Sequence, residues 1–166
     1  LTFCKKPSFA EKVEYSKPVG GQAIIGPSIR FAELAIREWG NVMVDTTTIY
    51  EDARIRRVRV STTDMQTNAS FSKEISINKT VERRNGKGRD VIRQRKNTYG
   101  QTVYVVAATD DELMTKEAAL VSKAIRNEGL RLIPGDVIEE AINTARATLQ
   151  NRDAEDPDAA RRRLLD

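Results

Sequence analysis

Ile55-Arg56-Arg57-Val58-Arg59-Val60 is the clearest alternation in the chain, and its reading decides the fold. A strand points successive side chains to opposite faces. Val58 and Val60 share one parity with Arg54 and Arg56, while Arg57 and Arg59 share the other with Ile55. Two valines outweigh one isoleucine, so Arg57 and Arg59 are expected to face outward. Arg56 then belongs to a structural ion pair, and Ile55 marks a bulge or the strand's start.

The flanks extend this strand into a meander. Upstream, Val42-Met43-Val44 and Thr46-Thr47-Thr48-Ile49-Tyr50 are rich in β-branched residues, with Glu51-Asp52 as a tight turn. Downstream, a turn over 64–68 leads to a strand in which Phe71, Lys73, Ile75 and Ile77 share one parity. Before the meander, Ile29, Ala32, Ile36 and Trp39 recur at helical spacing, with Trp39 read as core. Gly26-Pro27-Ser28 opens this helix, and Gly40-Asn41 supplies a left-handed exit. After it, 102–108 reads as a fourth strand or the lead-in to a helix. Thr109-Asp110-Asp111-Glu112 has capping-box spacing for a helix that closes at Gly129, and Asp136 caps a last one. The expected class is α+β: an N-terminal helix, a three- to four-stranded antiparallel meander, then C-terminal helices.

Residues 1–26 read as an irregular arm, punctuated by Pro7, Pro18 and Gly20-Gly21. Residues 27–150 form the expected single α+β domain. From Asn151 the composition turns charged (Asp153, Glu155, Asp156, Asp158, Arg161, Arg162, Arg163), as in a surface helix or tail over 151–166. The 166 residues suit one domain, and aromatic residues make up only 5%, so the core is aliphatic. The chain opens on Leu1 rather than Met, as expected of an incomplete or concatenated sequence, and its start lacks the apolar stretch of a signal peptide.

Two absences exclude whole classes of chemistry. There is no histidine, which removes His-based triads and His metal clusters, and the single Cys4 allows no intramolecular disulfide and no cysteine metal cluster. No apolar run approaches the roughly 20 residues of a membrane span. Gly86-Lys87-Gly88-Arg89 lacks the Ser/Thr and the earlier glycine of a phosphate loop, so it is a flexible basic loop. Asp110, Asp111 and Glu112 are more simply helix-cap carboxylates than a metal site. No catalytic residue, metal or cofactor is expected.

The functional signal is basic. The formal net charge is +4, yet residues 82–96 hold seven basic residues against two acidic ones. This segment reads as a break between elements, with a loop left mobile by Gly86 and Gly88. Arg54, Arg57, Arg59, Arg83, Arg84, Lys87, Arg89, Arg93, Arg95 and Lys96 are the candidate nucleic-acid contacts. The aromatic candidates are Tyr50, Tyr99 and Tyr104, a scarcity that favours tracking of the phosphate backbone over base-specific stacking.

The stretch Ile29 to Val42, the strands after it and the stretch Lys123 to Asp136 resemble phage single-strand annealing recombinases. These form the RecT/Redβ class, whose β-β-β-α core is shared with the eukaryotic Rad fifty-two annealing proteins. Gly26-Pro27-Ser28-Ile29-Arg30 and Leu132-Ile133-Pro134-Gly135-Asp136 carry the likeness, which spans about 27–142. The resemblance implies an ATP-independent protein that coats single-stranded DNA as a homo-oligomeric ring or filament and promotes annealing. The expected partners are single-stranded DNA, the annealed duplex intermediate and further copies of the chain, with no membrane. The expected setting is the cytoplasm of a phage-infected or prophage-bearing bacterial cell. The other class weighed is a structural or interaction protein of a phage or mobile element, with a basic partner-binding loop; a nuclease is a distant third.

Overall fold

A computed structural model describes residues 1–157 and Arg161. The fold is α+β. Helix α2 (Ile29–Trp39) begins at Ser28, whose hydroxyl accepts from the Phe31 N–H at 3.1 Å, and ends where Gly40 and Asn41 adopt positive φ. The chain then enters the antiparallel meander β3 (Val42–Glu51), β4 (Ile55–Asp64) and β5 (Ser70–Asn78). Asp52 shapes the first turn by accepting from the N–H groups of Arg54 and Ile55, both at 2.7 Å. Asp64 does the same in the second for Gln66 at 2.8 Å, with Asn68 left-handed.

The parity reading holds. Val58, Val60 and Ile77 are fully buried and pack with Leu113 and Ala124 of α3 (Asp110–Leu130). Arg57 and Arg59 lie on the opposite, exposed face. Ile55 is the strand's start, and the register shift falls on β3, between Thr48 and Tyr50. Helix α3 opens with the expected capping box. The Thr109 N–H donates to Glu112 at 2.9 Å, and the Glu112 N–H donates to the Thr109 hydroxyl at 3.3 Å. Helix α3 ends at Leu130, one residue past Gly129, where an added Cβ would come within 2.3 Å of Ile36 Cδ1, so α2 and α3 cross at a point where only hydrogen fits.

Several expectations change. Residues 1–26 are not irregular. A 3-10 turn (Thr2–Lys5) and the short helix α1 (Pro7–Ala10) precede a hairpin of β1 (Glu14–Val19) and β2 (Gln22–Pro27). Gly20 and Gly21, both at positive φ, close it as the two-residue turn its twist requires. Cys4, Ala10 and Val13 are buried with Phe31 and with Ala141 and Ala145 of the last helix, so this segment builds a second core. Helix α4 (Gly135–Glu155) has Pro134 at its N-cap, and Asp136 sits one residue inside, accepting from the Val137 N–H at 2.9 Å. It runs past 150, and Arg152 pairs with Glu11 of the N-terminal segment. Asp158, Arg162 and Arg163 fall outside the described residues. Trp39 is 42% exposed at the end of α2 instead of buried in the core.

The largest change concerns residues 82–96. They are a break only over 84–90. β6 (Thr80–Arg83), β7 (Val91–Lys96) and β8 (Thr102–Ala107) form a second antiparallel sheet in the order β6-β8-β7. The fourth strand expected at 102–108 exists, but it is the centre of this sheet and does not extend the meander. Alternation is hard to see in β7 because all six of its residues are exposed. Lys116 of α3 ties the junction of the two sheets, its ammonium donating to the backbone carbonyls of Asn78 at 2.8 Å and Thr80 at 3.3 Å.

Candidate nucleic-acid interface

The second sheet and its loops, residues 80–107, hold all seven basic residues of the charged segment against Glu82 and Asp90. Some of this charge is used internally. Arg95 on β7 reaches across β8 to Glu82 on β6, its Nε and Nη2 each donating at 2.8 Å. This fork closes over Val103 and Val105, which are 9% and 5% exposed. It holds the Glu82 carboxyl below its ordinary range and raises the Arg95 guanidinium. Arg83 and Arg89 both donate to Glu112, Arg89 at 2.5 Å to one oxygen and Arg83 to the other. Glu112 thus answers the Thr109 N–H and two guanidiniums, and its pKa falls to about 2, with the Thr109 bond the largest cause.

The loop between β6 and β7 is tied to α3 through Arg89. Arg89 also donates to the Ala107 carbonyl at 3.4 Å. Gly86 is no hinge. An added Cβ would stand 2.4 Å from Val91 Cγ2 and 3.3 Å from the Tyr104 ring, so glycine is there for close packing. Gly88, at φ +76°, meets the conformational requirement instead.

Arg84, Lys87, Arg93 and Lys96 remain exposed and make no ion pair among the described residues. They come from one outer strand, β7, and from the loop that precedes it. At the β7–β8 turn, Tyr99 projects with 85% of its surface exposed, more than any other large apolar or aromatic side chain described. Asn97 fixes that turn by accepting from the N–H groups of Tyr99 at 2.9 Å and Gln101 at 3.0 Å. Lys96 and Tyr99 thus pair a cation with an exposed ring on one hairpin end.

The meander contributes less than its arginines suggest. On its outer face Arg59 pairs with Glu74 at 2.8 Å, and Arg57 lies 6.0 Å over the Tyr50 ring. Asp45 shares that face, so its two cations are offset by two carboxylates. The hydroxyls of Thr47, Ser61, Thr63, Ser70, Ser72 and Ser76 share it, with the exposed Met43 across from Thr63. Arg54 is exposed in the β3–β4 turn, where its carbonyl accepts from the Lys79 N–H at 2.9 Å. Arg56 is the structural residue expected. It donates to Glu117 at 2.5 Å and Glu51 at 2.9 Å, which raises its own pKa and lowers that of Glu51.

Among the described residues, no group of three or more Cys, Asp or Glu is placed to hold a metal ion, and no helix is long and apolar enough to cross a membrane. No family model, curated protein or solved structure matches the chain.

Proposed function

We propose that this chain is an ATP-independent single-strand annealing protein that coats single-stranded DNA as a homo-oligomer and promotes pairing of complementary strands. The observation that carries the reading is the cationic second sheet, where Arg84, Lys87, Arg93 and Lys96 stand exposed and form no close ion pair among the described residues. Such cations neutralise phosphates irrespective of sequence and release counterions. Tyr99 offers one stacking surface, which tolerates any base. Held by its backbone, the strand keeps its bases open to a complement, and base pairing supplies the chemistry. No nucleotide, metal or catalytic residue enters this mechanism, and its setting is the cytoplasm of a phage-infected or prophage-bearing bacterial cell.

Oligomerisation fits the open edges. β3 and β5 bound the meander and β6 and β7 bound the second sheet, and unpaired strand edges call for cover or pairing. The other reading, a structural or interaction protein, draws support from Arg83, Arg89 and Arg95, whose charge is spent inside the fold. A salt-titrated binding measurement separates the two. Affinity for a labelled oligonucleotide should fall steeply with salt. In the Arg84→Ala, Lys87→Ala, Arg93→Ala, Lys96→Ala variant the slope of log affinity against log salt should flatten by about 2.8, from about 0.7 per contact on a single strand. Absence of binding at low salt rejects the annealing reading in favour of the structural one.

A further inference from the structure

Among the described residues, the contacts that hold the N-terminal hairpin lie at its base. Glu14 pairs with Arg146 of α4, Tyr15 lies under Arg126 of α3 at 4.7 Å, and the Ser28 N–H donates to Val13. Beyond Tyr15 the hairpin carries Ile24 and Ile25, 49% and 59% exposed. Being consecutive in β2, they point to opposite faces. An isolated two-stranded hairpin is marginally stable in water, and an exposed isoleucine on it gains from a slot that covers it.

The same molecule carries such a slot. An apolar groove of about 170 Å³ between α2 and α4 is lined by Phe31, Leu34, Trp39, Val137 and Ile138. An engineered apolar cavity of about 150 Å³ accepts benzene, so this groove has room for one aliphatic side chain. Glu38 is the one charged residue lining it. On the hairpin, Lys17 sits directly across from Ile24 in the register, and no acidic residue follows Glu14 through Pro27. The hairpin's base lies at Ser28, the start of α2, whereas Glu38 and Trp39 lie at its other end, about 16 Å along at 1.5 Å per residue.

We infer that the hairpin of one copy docks in the α2–α4 groove of the next, with Ile24 in the groove and Lys17 against Glu38. The two surfaces differ, so the contact is head-to-tail and generates a ring or a helical filament. This specifies the homo-oligomer part of the reading above and requires nothing of its DNA-binding part.

The test uses the full chain without DNA. Trp39 is the only tryptophan and lies at the groove, so its emission reports occupancy. As concentration rises, sedimentation should show assembly beyond 18.6 kDa, and Trp39 emission should move to shorter wavelength. Ile24→Asp and Val137→Asp, both at exposed positions, should each remain monomeric with unshifted emission. Mixed in equal amounts, they should form a species of twice the monomer mass and nothing larger, since each retains one complementary surface. Lys17→Glu and Glu38→Lys should each weaken assembly at least tenfold, and together restore it. A wild-type chain that stays monomeric at tens of micromolar, Ile24→Asp assembling like wild type, or a mixture that does not pair overturns the proposal.

Discussion

Val58→Ala and Arg57→Ala probe adjacent residues of β4 and should differ sharply in cost. Val58 has no exposed surface and packs with Ile77, Val60 and Leu113 between the meander and α3. Its truncation removes two buried carbons, about 1.6 kcal/mol at about 0.8 per methylene. A cavity term of up to about 1 kcal/mol adds to this, because Val60 and Ile77 are β-branched and α3 packs against them. The total is about 2–3 kcal/mol, or a fall of about 5–10 °C in Tm for a domain of this size. Arg57 stands on the exposed face with only the Tyr50 ring 6.0 Å away, so its truncation should stay within about 0.5 kcal/mol. Urea unfolding followed by circular dichroism measures both, with the m-value as the check that the unfolded states match. If Arg57→Ala costs as much as Val58→Ala, β4 is shifted by one residue and every face assignment on it reverses.

Arg56→Ala should lower the urea midpoint while leaving the salt dependence of oligonucleotide binding unchanged, because its guanidinium is committed to Glu51 and Glu117. Glu112, with its pKa lowered from 4.5 to about 2, contributes stability that is fully present above about pH 4.5 and lost as pH falls toward 2. Wild type should therefore lose its advantage over Glu112→Gln across that window in urea midpoints taken at pH 7 and pH 3. Tyr99→Ala should weaken oligonucleotide binding by about 1–3 kcal/mol in fluorescence anisotropy, with an unchanged salt slope, since stacking releases no counterions.

The elements with one buried face could be read from the sequence. Val58 and Val60 against Arg57 and Arg59, and Ile29, Ala32 and Ile36 along α2, carry the alternation or helical period that burial imposes. β7 carries neither, because its pairing is a backbone matter and its side chains all meet solvent. The N-terminal hairpin was hidden for the same reason, its turn glycines resembling linker punctuation while Ile24 and Ile25 lack a core within the chain. The basic segment was visible as charge, but its division was not. The partners that occupy Arg83, Arg89 and Arg59 lie 29, 23 and 15 residues away. Only folding reveals that Arg84, Lys87, Arg93 and Lys96 are the cations left over, and that Tyr99 stands near Lys96 at a hairpin end.

The central claim is that the chain promotes strand pairing through these cations without a nucleotide, and the direct measurement is the annealing rate of two complementary oligonucleotides at low micromolar protein. The account predicts that the wild-type chain raises this rate severalfold over the protein-free reaction with no ATP or metal added. It further predicts that the Arg84→Ala, Lys87→Ala, Arg93→Ala, Lys96→Ala variant, folded by circular dichroism, returns the rate to the protein-free value. A wild-type chain that leaves the rate unchanged, or a quadruple variant as active as wild type, contradicts it.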